Sequence, residues 1–225
     1  MSVLVVAGTR PEFIKLVPVM QALARHGGPT ARFCHTGQHE DLGQGMLDAA
    51  GIVPEERLLR PAASDVGALL AGLTTAIGAA LDRQRPQAVV VQGDTASAMA
   101  GAMAAFHRQI PVAHVEAGLR SGDITRPWPE EGYRRMIARL AHWHFAPTAA
   151  AANALVAEGV PADSVETVGN TVIDALYWAL SCLDRDERLS HEALPLVERA
   201  SKRPIVLATV HRRETGADEL AAIAE

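Results

Sequence analysis

Pro111-Val112-Ala113-His114-Val115-Glu116-Ala117-Gly118-Leu119-Arg120-Ser121-Gly122-Asp123 runs a short apolar segment into a carboxylate and then into a glycine-bearing loop. Residues 111–115 predict a buried strand, and Glu116 ends it at the point where an α/β sheet opens its ligand crevice. Arg126-Pro127-Trp128-Pro129-Glu130-Glu131-Gly132-Tyr133-Arg134-Arg135 follows at once and predicts a helix that opens at Pro129 with acids in its first turn. A strand, a glycine turn and a helix therefore adjoin here, and the charges gather at their junction.

The same order recurs on the N-terminal side. Ser2–Ala7 is a β-branched run broken by Gly8, after which Pro11, Phe13, Ile14, Leu16, Val17 and Met20 mark a helix and its buried side. Ala31–Thr36 predicts the next strand, closing on Gly37-Gln38-His39. Between Ser64 and Arg85 the residues Val66, Leu69, Leu70, Leu73, Ile77 and Leu81 recur at helical spacing, as a core-packed face does. Ala88–Gln92 is a continuous apolar strand that closes on Gly93-Asp94-Thr95 before an alanine-rich helix, so Asp94 and Glu116 face one crevice if the sheet is parallel. Shorter strands are predicted over 144–148 and 164–168, with a helix opening after Gly169-Asn170-Thr171. The fold class is α/β, a Rossmann-like doubly wound parallel sheet. Residues 1–170 form that domain and 171–202 a helical connector. Residues 203–225 form the first strand and helix of a second Rossmann-like domain, which is expected to be cut short, because one strand and one helix cannot bury their own apolar faces.

Several of these charges also have a plain structural reading. Glu130 and Glu131 complement a helix dipole and stand four residues from Arg134 and Arg135, pairs that contribute only tenths of a kcal/mol. Asp94 or Thr95 suits a helix cap. Arg10 and Lys15 flank a helix start whose free N–H groups suit a phosphate, or they are solvated. His39 is a ligand or a turn residue, and His142 with His144 lacks the further ligands that a metal site needs.

The composition is that of an ordinary globular chain: 225 residues, 48% apolar, 21% charged, net charge −5. Neither disorder nor a non-specific nucleic-acid surface is implied. The two cysteines, Cys34 and Cys182, match no metal or disulfide spacing, the N-terminal apolar run is strand-sized, and no run approaches the roughly 20 apolar residues of a membrane span. A cytoplasmic protein is expected, with no nucleic-acid or membrane partner.

Taken together, Gly8–Lys15, Thr36–His39, Gly93–Thr95, His114–Arg120, Pro129-Glu130-Glu131 with Arg134, Gly169–Asp174, and Thr209 with His211–Glu214 resemble the bacterial UDP-N-acetylglucosamine 2-epimerases. The resemblance runs the length of the chain, in order. It implies two Rossmann-like domains in a GT-B arrangement, usually a homodimer, acting on UDP-N-acetylglucosamine without metal, nicotinamide or other cofactor. It further implies that UDP is eliminated and re-added, since the C2 hydrogen of the sugar is not next to a carbonyl. Position by position, Asp94, Glu116, Glu130 and His211 match catalytic residues. Arg10, Lys15, Arg134 and Glu131 match substrate-binding ones, while Gln38 and His39 match a region that holds a second, regulatory UDP-N-acetylglucosamine in some members. The pattern departs at Tyr133 and Thr215, where the family usually has Asn. The assignment of acid and base among the three carboxylates stays open, as do three rivals: a hydrolysing epimerase releasing UDP and N-acetylmannosamine, a GT-B glycosyltransferase, and a non-catalytic remnant that binds nucleotide sugar.

Overall fold

A computed structural model describes residues 2–39 and 44–185, apart from the side chains of Gln44 and Met46. The chain divides into two units, Met1–Leu180 and Ser181–Glu225. Only residues 181–185 of the second are described, so His211, Thr215 and the expected strand and helix of 203–225 lie outside the described residues.

In chain order the elements are β1 (Ser2–Ala7), α1 (Arg10–Arg25), β2 (Thr30–His35), α2 (Gln44–Ala49), β3 (Glu56–Arg57), α3 (Val66–Gln84), β4 (Ala88–Gln92), α4 (Ala96–Phe106), β5 (Val112–Val115), α5 (Glu130–Leu140), β6 (Trp143–Ala146), α6 (Ala149–Ala157), a 3-10 turn (Ala162–Ser164), β7 (Val165–Thr167) and α7 (Thr171–Leu183). They build one sheet in the order β3-β2-β1-β4-β5-β6-β7, and every neighbouring pair is parallel. The doubly wound sheet expected from the sequence is therefore present. Winding reverses between β1 and β4, so the loops after these two strands part and leave a crevice at their carboxyl ends.

Strand periodicity divides the core. Leu4 and Val6 of β1, with Val89 and Val91 of β4, face Leu73, Ile77 and Leu81 of α3 and the alanine side of α4. Val3, Val5 and Val90 point the other way, onto Phe13 and Leu16 of α1 with Phe33 of β2. Each such aliphatic side chain contributes roughly 1.5–3 kcal/mol when fully buried. Small residues let α4 lie close on the sheet: a Cβ added at Gly101 would stand 3.0 Å from Val91 Cγ1 and 3.3 Å from Val6 Cγ1.

Most of the expected elements appear with shifted ends. The helix predicted from Pro129 starts one residue later, with Pro129 as its N-cap. β3 is only two residues long, too short to leave a hydrophobic pattern. Contrary to the expectation drawn from apolar runs, α3 is long and apolar enough to cross a membrane by length and composition. Its buried Leu73, Ile77, Gly78, Ala80 and Leu81 pack within the core, although only 28% of the apolar window is buried.

Two left-handed glycines differ in what surrounds them. Gly118 (φ +87°) follows the β5 loop and backs directly onto the Ala151 carbonyl, whereas Gly27 (φ +62°) has nothing within 4 Å of an added Cβ. Gly27→Ala should cost about 1 kcal/mol of unfolding free energy, the strain of the backbone alone. Gly118→Ala should cost roughly 3 kcal/mol or more, because a fixed carbonyl must also move. Urea unfolding followed by circular dichroism checks the ranking, and equal losses would show that the Ala151 backbone yields freely.

Candidate active site

Glu116 leaves the end of β5 with φ +62°, a left-handed conformation that costs a non-glycine residue roughly 1–2 kcal/mol. Its carboxylate is held by donors from three other segments. Lys15 Nζ, from α1, lies 2.7 Å from both Oε1 and Oε2. Asn170 Nδ2 donates to Oε1 at 3.0 Å, and Gln92 Nε2, at the end of β4, donates to Oε2. The side chains of Lys15 and Glu116 are 22% and 10% exposed, so the pair is only partly screened by water. A Cβ placed on Gly93 would stand 3.5 Å from Glu116 Oε2, which puts the Gly93-Asp94 turn against the Glu116 carboxylate.

Asp94 completes that wall. Its Oδ2 accepts from Arg134 Nε at 2.7 Å, and Arg134 NH2 lies 2.6 Å away. Arg134 is aimed in turn by Glu131, whose Oε2 lies 3.3 Å from Arg134 NH1 and accepts the Ser121 N–H at 3.1 Å, while its Oε1 accepts from Arg135 Nε at 3.1 Å. Burial pushes Glu131 up, but the Ser121 N–H, Arg135 and Arg134 outweigh it and hold the carboxyl below the usual range. The structure thus places Glu131, expected at the substrate, inside the protein with its side chain fully covered. There it acts as the hub that fixes the two arginines and the 118–123 loop.

The remaining expected positions fall into two groups. Arg10 is exposed at the first residue of α1, and Glu130 is half-buried, with no hydrogen bond or ion pair to the described residues. Both stay available to a ligand. Gln38, by contrast, turns its Oε1 onto the start of α4, accepting Ser97 N–H at 3.1 Å and Ser97 Oγ at 2.7 Å; Thr36 Oγ1 lies 2.7 Å from the same hydroxyl. The His39 N–H donates to the Gly8 carbonyl at 2.8 Å. Gln38 therefore braces the loop after β2 against the start of α4, and His39 braces it against the loop after β1. Tyr133, which departs from the family pattern, is buried in the core with Ile137 of α5. Both ring nitrogens of His144 face backbone carbonyls, of Ser164 and Ala138, and no group of His, Cys, Asp or Glu side chains among the described residues is arranged to hold a metal ion.

Three residues of the site carried little sequence signal. Gln92 is a polar residue at the end of an apolar strand, and Asn170 reads as a helix cap. Glu12 reads as an acid in a first helical turn, yet it is fully buried. Its Oε2 accepts the N–H groups of Gly8 (3.0 Å) and Thr9 (2.8 Å), and its Oε1 accepts the Thr95 hydroxyl (2.7 Å). Glu12 thus ties the loop after β1, which leads to Arg10, to the loop after β4, which carries Asp94.

The family model described as UDP-N-acetylglucosamine 2-epimerase matches residues 21–225. The chain belongs to that family. It is 41% identical over 220 residues to a probable UDP-N-acetylglucosamine 2-epimerase of Ralstonia nicotianae, covering 96% of this chain and 58% of that protein. It is 37% identical over 219 residues to the UDP-N-acetylglucosamine 2-epimerase of Escherichia coli K12, with the same coverage. The chain thus spans little more than half the length of these relatives. Among solved structures, the Neisseria meningitidis UDP-GlcNAc 2-epimerase bound to UDP-GlcNAc superposes with a TM-score of 0.82 at 38% identity, covering 88% of this chain and 55% of that one. The Methanocaldococcus jannaschii enzyme in complex with UDP-GlcNAc and UDP superposes with a TM-score of 0.78 at 34% identity, covering 85% and 52%. Acinetobacter baumannii MurG, 16% identical with a TM-score of 0.54 over 75% of this chain and 45% of that one, shares the fold alone. The described domain is therefore one Rossmann-like half of the GT-B arrangement of these epimerases.

Burial pushes the Glu12 carboxyl up to about 7, while the Thr95 hydroxyl and the Gly8 and Thr9 N–H groups pull the other way. Between its ordinary 4.5 and about 7 the folded chain holds a proton that the unfolded chain has released, so Glu12 makes stability fall as pH rises through that window. A glutamine fits the same place, its Oε1 taking the two backbone N–H groups and its Nε2 donating to Thr95 Oγ1. Glu12→Gln should therefore gain on the parent by roughly 3 kcal/mol between about pH 4.5 and about pH 8. Urea titrations across that range test this, and parallel curves for the two proteins would mean that Glu12 is already ionised in the folded state.

Proposed function

We propose that this chain supplies the proton-transfer wall of a UDP-N-acetylglucosamine 2-epimerase that interconverts UDP-GlcNAc and UDP-ManNAc. The observation that carries the proposal is the convergence of Glu116 and Asp94 at the carboxyl ends of adjacent strands, with Lys15 and Arg134 against them and Arg10 exposed at the start of α1. A carboxylate takes the C2 proton, the C2–H electrons become the C1–C2 double bond, and the C1–O bond breaks toward the β-phosphate of UDP. In the return step a proton reaches the opposite face of C2 and the phosphate oxygen re-forms its bond to C1. The cations meet the charge that develops on the departing diphosphate, commonly the largest single contribution to catalysis. Glu130, half-buried one residue before the covered Glu131, is the third acid of the wall. Within the same reading His211 joins the diphosphate side, Gln38 and His39 flank a second nucleotide-sugar site, and the assembled enzyme is a homodimer.

The test uses a chain extended to the length of its relatives, incubated with UDP-GlcNAc in deuterium oxide and followed by NMR. Deuterium should enter at C2 and UDP-ManNAc should form. Glu116→Gln and Asp94→Asn should each lower the rate by at least about 100-fold and leave the affinity for UDP within about threefold. Parallel losses of affinity and rate would make these carboxylates binding groups, and release of free N-acetylmannosamine with UDP would identify the hydrolysing reaction. The 225-residue chain alone should turn over little or nothing, and a robust rate from it would refute that expectation.

A further inference from the structure

Gly93 lies between Gln92, which holds Glu116, and Asp94, which meets Arg134, and β5 grips it on both sides. Its N–H donates to the Val115 carbonyl at 2.9 Å, and its own carbonyl oxygen lies 2.8 Å from His114 Nε2. A carbonyl only accepts, so Nε2 carries the proton and Nδ1 is the bare nitrogen. The ring is 1% exposed, and Nδ1 has no hydrogen-bond partner among the described residues. A second proton on Nδ1 would therefore be a buried, unpaired charge. Burial drives the His114 imidazole down to about 4; the Gly93 carbonyl opposes the fall, and His144 and Arg120 add to it. His114 is thus a neutral donor with one fixed tautomer.

A donor fixed in this way is needed because of the turn it holds. Gly93 sits at φ +68°, where glycine has no side chain to limit rotation of its peptide groups. If that carbonyl swung away, the peptide linking Gly93 to Asp94 would rotate with it and carry the Asp94 carboxylate off Arg134 and away from Glu116. We propose that His114 is the positioning residue that sets the relative placement of Asp94 and Glu116, by pinning the Gly93 carbonyl to the same strand that delivers Glu116. The catalytic consequence rests on the epimerase reading above; the structural one does not. A misplacement of about 1 Å between reacting groups costs about 100-fold in rate.

Two measurements on the 225-residue chain decide the structural claim without any activity. Nitrogen-15 NMR of the imidazoles should show His114 protonated at Nε2 alone and not titrating between about pH 5 and about pH 8. An Nδ1-protonated ring, or titration near neutrality, would overturn the proposal. His114→Gln places an amide Nε2 where the ring Nε2 stands and should keep the backbone amide resonances of Asp94 and Glu116 near their parent positions. His114→Leu, which has no donor, should shift both; unmoved resonances in the leucine variant would likewise overturn it. In the extended chain His114→Leu should lower kcat by about 100-fold with little change in KM, and His114→Gln should recover most of the loss. Equal activity in all three would end the positioning role, whereas a parent that incorporates no deuterium at C2 would end the epimerase reading and leave the NMR result standing.

Discussion

The ion pair between Lys15 and Glu116 is the contact on which the arrangement of the site depends. Lys15 comes from the helix after β1 and Glu116 from the end of β5, so their bond spans the place where the sheet reverses its winding. The pair is only partly buried, so removing one partner should cost less than the roughly 3–5 kcal/mol of breaking a fully buried pair. The donors gathered from Lys15, Gln92 and Asn170 offset the left-handed backbone that Glu116 must adopt to point into the crevice. Functional sites hold such strain where the surroundings over-determine it.

Behind that pair the site is supported in layers. Asp94 is placed by Arg134, Arg134 by Glu131, and Glu131 by Arg135 and the Ser121 N–H. A fully covered carboxylate such as Glu131 is tolerable only because each of its oxygens accepts from the protein. Glu12 does the equivalent work on the other side of the crevice, joining the turn after β1 to the turn after β4 through its two oxygens. The side chains that would meet a ligand are thus held by others that do not, which is how a groove keeps its charges in place.

Family membership and fold carry different weight. MurG shows that the same layered architecture persists at 16% identity, and a shared architecture by itself assigns no chemistry. The Ralstonia and Neisseria epimerases match at more than twice that identity. The chain covers 58% of the Ralstonia protein, so what is described is one Rossmann-like part of the length these relatives have.

Much of the fold was legible in the chain because hydrophobic periodicity is local. The apolar run of β4, the 3.6-residue spacing of α3 and the glycines that end the strands each point to an element without reference to any other. The parallel order followed, and with it the end of the sheet at which Asp94 and Glu116 stand. What only the tertiary structure decided is which charges reach the crevice and which are consumed inside. Neighbouring Glu130 and Glu131 look alike in sequence, yet one is half-buried and open to a ligand while the other is covered and bound at both oxygens. Glu12, Gln92, Asn170 and His114 acquired their roles from partners far along the chain: Thr95, Glu116 and the carbonyl of Gly93. Local spacing states what kind of element a residue sits in. The direction and burial of its side chain are settled only when distant strands are brought side by side, because the energy of a polar group depends on the partners and the water left around it.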